Sequence, residues 1–332
     1  MKNVKIAVLG DGGWGTTLAI LLHKKGFRVC LWGAFSDYVS VLRSKRVNSR
    51  FLPKVRIPQS IEITSNLAQA VLDKDLIVIA VPSQYLRQVL KKIKQLDYPR
   101  RAIYLSVVKG IEVGSLKRMS EVIKEELGNI EAAVLSGPTI AHEVALGIPT
   151  TAVVASSEIN LRKRLQDIFT TETFRIYTNS DVCGVELGGS LKNVIAIACG
   201  ISDGLGFGTN AKAALLARGL AEISRLGAIM GAQPATFSGI SGLGDLVTTC
   251  ISSYSRNRFV GEQIGKGKKL KQVINHMKMV AEGVPTAKSA YQLSRRFKVN
   301  MPITKEIYNV LYKNKSSLKA VKDLMTREKK EE

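Results

Sequence analysis

The sequence GDGGWG at residues 10–15 constrains the fold more than any other part of the chain. It directly follows the apolar run VKIAVLG and opens a segment, from about Gly13 to Lys25, that has the pattern of a helix. In such a unit the first glycine permits a tight turn, the second lets a pyrophosphate approach the backbone, and the third allows close packing of helix on strand. The helix N-terminus then faces the anion. The motif predicts a dinucleotide site, with these candidate cofactor-binding residues: Gly10, Gly12, Gly13, Trp14 and Gly15.

Short apolar runs alternate with amphipathic segments through the first half of the chain. This alternation is typical of βαβ units and a mostly parallel sheet. The predicted strands are 4–10, Arg28 to Trp32, Leu76 to Pro82, Ala102 to Val108, Ala132 to Gly137 and Thr151 to Ser156. We therefore predict an α/β fold with a Rossmann-type doubly wound sheet domain.

The pattern changes after about Asp181 to long helical stretches rich in alanine, glycine and leucine. Glycines inside an exposed helix cost about 1 kcal/mol each, so their frequency here indicates close helix packing or the approach of a ligand. We predict a dinucleotide-binding domain at residues 1–181 and an all-α domain for substrate binding and catalysis at residues 182–332. The active site is expected between the two domains.

The end of the second predicted strand bears on cofactor choice. NAD-specific sites usually place an acid there to bind the ribose 2′-hydroxyl, but this strand is followed by Gly33 and Ala34. Asp37 lies a few residues farther on, which is a long reach for that role. No basic residue at this point attracts a 2′-phosphate either, so the sequence leaves NAD(H) and NADP(H) both open as the cofactor.

Several classes of site are not indicated by the sequence. No apolar run approaches the roughly 20 residues of a membrane helix, so we predict neither a membrane span nor a signal peptide. The cysteines are widely separated without a CxxC pair, which predicts reduced, buried thiols: they are Cys30, Cys183, Cys199 and Cys250. The three histidines lack metal-ligand spacing, so we predict no metal site: they are His23, His142 and His276.

The formal net charge of +22 is the one unusual bulk property, and it would suit a polyanionic partner. The lysines and arginines are spread along the whole chain, and aromatic residues make up only 6%, so the basic stripe with interleaved stacking residues is missing. We therefore predict no nucleic-acid partner. The same charge can attract phosphorylated metabolites.

Further motifs extend, in order, over nearly the whole chain. They are GDGGWGTTLA, VPSQYLRQVL, SVVKGIE, LSGPTIAHEVA, VELGGSLKNVIAIACGISDGLGFGTNAKAAL, SGLGDLVTTC, SYSRNRFVG, AEGVPTA and MPITKEIYNVLY. Together they resemble the bacterial type of NAD(P)-dependent glycerol-3-phosphate dehydrogenase. Other two-domain dehydrogenases share the glycine motif and a catalytic lysine, but not GDLVTTC followed by SRNR. The resemblance implies interconversion of dihydroxyacetone phosphate and glycerol 3-phosphate.

The resemblance also implies roles in catalysis. Lys192 would exchange a proton with the substrate oxygen, and its pKa is expected to fall from about 10.4 through desolvation and a nearby cation such as Lys109. Asn193 and Asp245 would orient the lysine and the substrate hydroxyls, and Thr249 lies one helical turn after Asp245. Lys109 corresponds to a family residue that touches both cofactor and substrate.

Other residues correspond to family contacts with the two ligands. Ser255, Arg256 and Asn257 resemble the phosphate clamp, because arginine offers phosphate a planar fork of donors and the serine can cap a helix. The substrate-binding set also includes Gly137 and Thr139. The cofactor-binding set also includes Lys109, Ala141, Arg256, Val280 and Glu282.

The chain departs from the family pattern at two positions. Ala34 stands where many relatives carry arginine or histidine, which weakens an inherited preference for NADPH, and His142 stands where lysine is common. The resemblance implies a cytoplasmic homodimer that supplies glycerol 3-phosphate for phospholipid synthesis. Two alternatives are a related two-domain dehydrogenase of hydroxy acids or sugar acids, and a non-catalytic nucleotide-sensing protein.

Overall fold

The chain divides into two units that alternate along the sequence. A computed structural model describes residues 4–277, 279–329 and 331. The first unit consists of Met1–Lys109 and Lys117–Glu186, and the second of Gly110–Leu116 and Leu187–Glu332. The boundary expected after residue 181 stays a prediction, and the structure adds that residues 110–116 group with the second unit.

The first unit is built on an eight-stranded sheet. Its strands and those of a separate hairpin are β1 (Lys5–Leu9), β2 (Arg28–Trp32), β3 (Val47–Asn48), β4 (Leu52–Arg56), β5 (Glu62–Thr64), β6 (Leu76–Ile79), β7 (Ile103–Ser106), β8 (Glu131–Ser136), β9 (Thr150–Ala155) and β10 (Phe174–Asn179). The order in the sheet is β10-β9-β8-β7-β6-β1-β2-β5, and β3 pairs with β4. All neighbours in the large sheet are parallel except β8 and β9. The predicted Rossmann-type sheet is confirmed.

Three parts of this architecture were absent from the sequence prediction: the edge strands β5 and β10 and the β3-β4 hairpin. The central strands are fully or almost fully buried, so each produces a continuous apolar run. In contrast, β10 alternates between buried and exposed residues, and β5 has only three residues. Edge strands therefore lack the signal by which the central strands were found.

Helices surround the sheet of the first unit. They are α1 (Gly13–Lys24), α2 (Ser36–Lys45), α3 (Leu67–Val71), α4 (Leu86–Lys94), α5 (Met119–Leu127), α6 (Ala141–Ala145) and α7 (Ile159–Phe169), with a 3₁₀ turn at Ser83–Tyr85. Helix α4 shows the usual cause, because its buried residues recur at helical spacing, at Leu86, Val89, Leu90 and Ile93. The predicted helix after the glycine motif is confirmed as α1.

In the described residues from 187 onward every regular element is helical, which confirms the predicted all-α part. The helices are α8 (Val182–Gly204), α9 (Thr209–Ile229), α10 (Pro234–Ser238), α11 (Asp245–Ile251), α12 (Arg256–Gly265), α13 (Leu270–Asn275), α14 (Gly283–Arg296), α15 (Pro302–Tyr312) and α16 (Ser317–Met325), with a π-helical turn at Ile240–Gly244. Helix α8 begins in the last residues of the first unit and continues into the second.

Helix α8 corrects one expectation about length and hydropathy. Its 23 residues are long and apolar enough to cross a bilayer, although no such run was expected from the sequence. In the protein, 89% of its most apolar window is buried. This burial is that of a core helix, and the apolar composition of α8 is explained by its packing inside the protein. Among the cysteines, Cys183 is only partly buried, whereas the other three are buried as expected.

Glycines bring α8 and α12 into backbone contact within the second unit. A Cβ added at Gly200 would collide with the carbonyl oxygen of Arg258, and one at Gly261 would collide with that of Ile197. A Cβ at Gly265 would lie 2.5 Å from the carbonyl oxygen of Ile201. The close helix packing that the glycine content indicated is confirmed.

Replacing Gly261 by alanine should therefore destabilise the second unit. The added methyl group meets backbone that cannot rotate away, and overpacking of this kind costs about 1–3 kcal/mol or more. Gly208→Ala is the matched control, because a Cβ at Gly208 meets nothing within 4 Å. The urea concentration at the midpoint of unfolding should be lower for Gly261→Ala than for the wild type. The decrease for Gly208→Ala should be less than half as large. Equal decreases would contradict the packing argument.

Candidate active site

The glycine loop of the first unit has the shape that a pyrophosphate requires. Gly10 has φ +124°, and a Cβ there would lie 2.7 Å from the carbonyl carbon of Ala80. A Cβ at Gly15 would collide with the carbonyl oxygen of Gly10. At Gly12, which precedes α1, a Cβ would meet nothing within 4 Å, so this side of the loop is open. The residues fit a dinucleotide whose phosphates approach Gly12 and the first amides of α1.

Trp14 belongs to the loop but its ring faces the core. The indole packs edge-on against Phe174, with ring centroids 6.3 Å apart, and its Nε1 is buried without a hydrogen-bond partner among the described residues. Any contact of Trp14 with a cofactor would therefore come from its backbone amide. Ala141 is adjacent to the same loop, because its carbonyl accepts a hydrogen bond from Thr17 Oγ1 at 3.0 Å.

Asn48 holds the loop in place, although no motif in the sequence pointed to it. The side chain is fully buried, and its Nδ2 donates to the carbonyl of Asp11 and to Oγ1 of Thr16, both at 2.8 Å. Its Oδ1 accepts from the Tyr38 hydroxyl at 2.7 Å and from the amide of Phe51 at 3.1 Å. Asn48 lies 37 residues from Asp11 in the chain, in a segment without a recognisable motif. No local pattern could have connected them.

Replacing Asn48 by alanine should loosen the loop. Several buried polar groups would lose their partner, which costs about 1–3 kcal/mol for each group left unsatisfied. We expect a lower melting temperature and a weaker stabilisation of the protein by added NADH, both measured by thermal unfolding. The matched control is Asn275→Ala, since Asn275 is exposed at the end of α13. An Asn48→Ala protein with unchanged stabilisation by NADH would contradict this role.

Lys109, Gly137 and Thr139 form a second polar group in the first unit, after the carboxyl ends of β7 and β8. Nζ of Lys109 donates to the carbonyl of Gly137 at 2.7 Å and to Oγ1 of Thr139 at 3.3 Å. The loop after β8 turns at Gly137, which has φ +142°. Three residues that the resemblance assigned to substrate binding therefore lie together.

The second unit holds a buried lysine. Lys192, on α8, is 4% exposed, and its Nζ donates to Oδ1 of Asp245 and to Oγ1 of Thr249. Asp245 is the first residue of α11 and is 1% exposed, and Thr249 follows one turn later. The structure brings together the three residues to which the resemblance assigned the proton chemistry.

A chain of hydrogen bonds continues from the residue after Lys192. Asn193 Oδ1 accepts from Nδ2 of Asn257 at 2.8 Å, and Asn257 Oδ1 accepts from the amide of Gly283 at 2.9 Å. A Cβ at Gly283 would lie 2.6 Å from the carbonyl oxygen of Asn193, so this glycine allows α14 to approach α8. Ser255 caps α12 as expected, with its Oγ accepting from the amide of Arg258 at 3.2 Å.

Two arginines in the first turn of α12 have different surroundings. Arg258 Nε donates to Oδ2 of Asp203 at 2.6 Å, so the positive charge of Arg258 is paired with a carboxylate of the same unit. Arg256 is exposed, and no hydrogen bond or salt bridge to its guanidinium is found within residues 4–277, 279–329 and 331. Although the side chain is accessible to solvent, protein atoms surround it closely, and this partial loss of hydration lowers the pKa of Arg256, while the charge of Glu282 opposes the effect. Arg256 is a cation available to an external anion.

The remaining predicted cofactor contacts lie just before α14. Glu282 is the residue that precedes the helix and influences Arg256 electrostatically, and Val280 is exposed.

The chain matches family models over most of its length. Residues 5–162 match the N-terminal model of NAD-dependent glycerol-3-phosphate dehydrogenase, and residues 181–322 match the C-terminal model of the same family. The chain belongs to the NAD-dependent glycerol-3-phosphate dehydrogenase family. The motifs that carried the sequence resemblance thus led to the correct family.

Individual members of the family are similar over their whole length. A glycerol-3-phosphate dehydrogenase [NAD(P)+] of Prosthecochloris aestuarii is 52% identical over 330 residues, which are 98% of this chain and 99% of the relative. One from a Thermoanaerobacter species is 51% identical and covers 99% of both chains. The crystal structure of the glycerol-3-phosphate dehydrogenase of Coxiella burnetii superposes with a TM-score of 0.95 at 37% identity, covering 98% of this chain and 100% of that one.

Proposed function

We propose that this protein catalyses reversible hydride transfer between a nicotinamide dinucleotide, NAD(H) or NADP(H), and dihydroxyacetone phosphate, which gives sn-glycerol 3-phosphate. The observation that carries the proposal is the buried Lys192 bonded to Asp245 and Thr249, in a chain of this family. A buried amine held by a carboxylate and a hydroxyl is suited to exchange a proton with a substrate oxygen.

Two influences of opposite sign act on the Lys192 amine. Burial favours the neutral amine, whereas the Asp245 carboxylate favours the ammonium ion. In the reducing direction the ammonium form gives a proton to the oxygen on C2 of the substrate, and the nicotinamide, when bound, supplies the hydride to C2. The carbonyl becomes an alcohol, and the neutral amine left on Lys192 is reprotonated from solvent. In the oxidising direction the neutral amine accepts that proton.

The other residues are proposed to hold the two ligands. Arg256, helped by Ser255 and Asn257 at the start of α12, would bind the substrate phosphate. A guanidinium next to helix amides, with no salt bridge to any residue that the structure describes, suits that anion. Asn193 would hold the backbone next to Lys192 in a fixed position relative to Asn257, through its hydrogen bond with Asn257. Lys109, Gly137 and Thr139 would contact the substrate, and Lys109 the cofactor as well.

The cofactor contacts that the sequence resemblance implied are retained as proposals. In the first unit they come from Gly10, Gly12, Gly13, Trp14, Gly15 and Ala141. Arg256, Val280 and Glu282 complete the set. We also propose that the enzyme works in the cytoplasm as a homodimer and supplies glycerol 3-phosphate for phospholipid synthesis, as the sequence resemblance implies.

The test is an assay of the purified protein with NADH and with NADPH, followed by the absorbance of the reduced nicotinamide. Dihydroxyacetone phosphate should be reduced at least about a hundredfold more efficiently than any member of a panel of keto acids and sugar acids, since only the former offers Arg256 a phosphate. Preferred turnover of a keto acid would support the rival dehydrogenase. Binding of the cofactors without turnover of any substrate would support a nucleotide sensor.

A further inference from the structure

The carboxylate of Asp11 packs against Gly33, which is distant from it in the sequence. Asp11 lies in the glycine loop, but a Cβ added at Gly33 would collide with its Oδ2 and would lie 2.7 Å from its Cγ. Gly33 is the first residue after β2. The Asp11 carboxylate thus fills the space that a side chain at the end of β2 would otherwise take.

The end of β2 is where a dinucleotide fold reads the adenosine ribose. An acid there accepts a hydrogen bond from the ribose 2′-hydroxyl and repels a 2′-phosphate, which separates NAD from NADP. In this chain Gly33 and Ala34 have no side chain able to do either. We propose that Asp11 supplies the missing carboxylate from the glycine loop and makes the enzyme selective for NADH over NADPH. The inference rests on the proposed function, because it concerns the cofactor of that reaction.

The backbone of Asp11 is held in place, whereas its carboxylate has an oxygen that is available to a further donor. The backbone carbonyl is held by Asn48 Nδ2 at 2.8 Å, and Oδ2 is buried without a hydrogen-bond partner among the described residues. The pKa of Asp11 is raised because burial penalises its charged form, while its own backbone amide and the charge of Arg50 act in the opposite direction. A hydroxyl donor from a bound ribose would stabilise this ionised carboxylate further.

One cation near Asp11 acts against the proposed selectivity. Arg50 is exposed, and its guanidinium lies 4.8 Å from the centre of the Tyr38 ring and 5.8 Å from that of Phe51. It would attract a 2′-phosphate that Asp11 repels. Since Asp11 is packed against the end of β2 whereas Arg50 lies on the surface, the carboxylate decides the preference. Specificity of this kind depends on a repulsive contact with the rejected ligand.

The experiment measures dissociation constants of NADH and NADPH on the full chain by energy transfer from tryptophan to the reduced nicotinamide. The selectivity ratio is the dissociation constant of NADPH divided by that of NADH. In the wild type this ratio should be at least about ten. Asp11→Asn, which has nearly the same shape, and Asp11→Ala should each reduce this ratio by about tenfold, mainly through tighter NADPH binding. Arg50→Gln should raise the ratio. Asp37→Ala is the matched control, because Asp37 is an exposed acid four residues beyond Gly33, and its ratio should equal that of the wild type.

Different results separate this inference from the proposed function. A wild type that binds NADPH as tightly as NADH overturns the selectivity, as does an unchanged ratio in both Asp11 variants. A change in the ratio for Asp37→Ala alone would move the role to that residue and also overturn the inference. If the ratios are as predicted but dihydroxyacetone phosphate is not reduced, the role of Asp11 is supported and the proposed reaction is wrong. If the protein binds neither cofactor, the role of Asp11 and the proposed reaction are both wrong.

Discussion

Replacing Lys192 by alanine should lower turnover in both directions by at least about a hundredfold, the usual effect of removing a positioned acid or base. The amine is nearly inaccessible to solvent and bonded to Asp245, and alanine offers no group that can exchange a proton in its place. Steady-state rates of dihydroxyacetone phosphate reduction and of glycerol 3-phosphate oxidation measure the effect. The matched control is Lys271→Ala on α13, an exposed lysine whose loss should leave both rates unchanged.

Loss of Lys192 also leaves a carboxylate buried without its ion-pair partner. Removing one member of a buried pair costs about 3–5 kcal/mol of stability, so a loss of activity could reflect unfolding. The double variant Lys192→Met with Asp245→Asn removes both charges and should recover stability but not turnover. Thermal unfolding of both variants shows whether the second unit, which holds Lys192 and Asp245, is folded. If Lys192→Ala keeps more than about a tenth of the wild-type rate, Lys192 is not the proton-exchanging group.

Replacing Arg256 by alanine should raise the KM for dihydroxyacetone phosphate by roughly thirtyfold to a hundredfold. One charge-assisted contact with phosphate contributes about 2–3 kcal/mol, and each 1.4 kcal/mol is tenfold. Arg256 is suited to this contact because, within the part of the chain that the structure describes, no carboxylate forms a salt bridge with it, unlike Arg258. Arg256→Lys should give an intermediate KM, because lysine keeps the charge but not the planar fork.

The substrate without its phosphate provides the decisive comparison for Arg256. Both proteins are assayed at saturating NADH, so that any contact of Arg256 with the cofactor does not affect the comparison. Dihydroxyacetone cannot use the guanidinium, so its kcat/KM should then be nearly the same in the wild type and in Arg256→Ala. Arg295→Ala, at an exposed position in the last turn of α14, is the control for a general loss of positive charge. Equal losses with dihydroxyacetone and with its phosphoester would show that Arg256 does not bind the phosphate.

The fold class and much of the candidate site could be predicted from local sequence. The strand, the glycine motif and the helix at residues 4–25 could be predicted because each depends on residues that are close together in the sequence. The central strands follow from continuous burial on both faces, which leaves an apolar run in the sequence. Asp245 and Thr249 lie 53 and 57 residues after Lys192 in the chain. Only the family resemblance connected the motifs that contain them.

Two features of the site depend on contacts between distant parts of the chain. Asn48 lies in a hairpin without a motif, and its contacts with the glycine loop join residues 37 and 32 positions apart in the chain. The sequence also left the end of β2 without an acid, whereas folding packs the Asp11 carboxylate against Gly33. Neither contact leaves a periodic or local signal.

The sequence by itself determined the Rossmann-type sheet, the helical second half and the identity of the buried lysine. Only the tertiary structure decided that Arg258 is bound to Asp203 while Arg256 has no ion-pair partner among the described residues, although both lie in the first turn of α12. The physical reason is that helix and strand formation depend on residues within a few positions of one another. The pairing of a charge or an amide depends on which side chains packing brings within about 3 Å, from any distance along the chain.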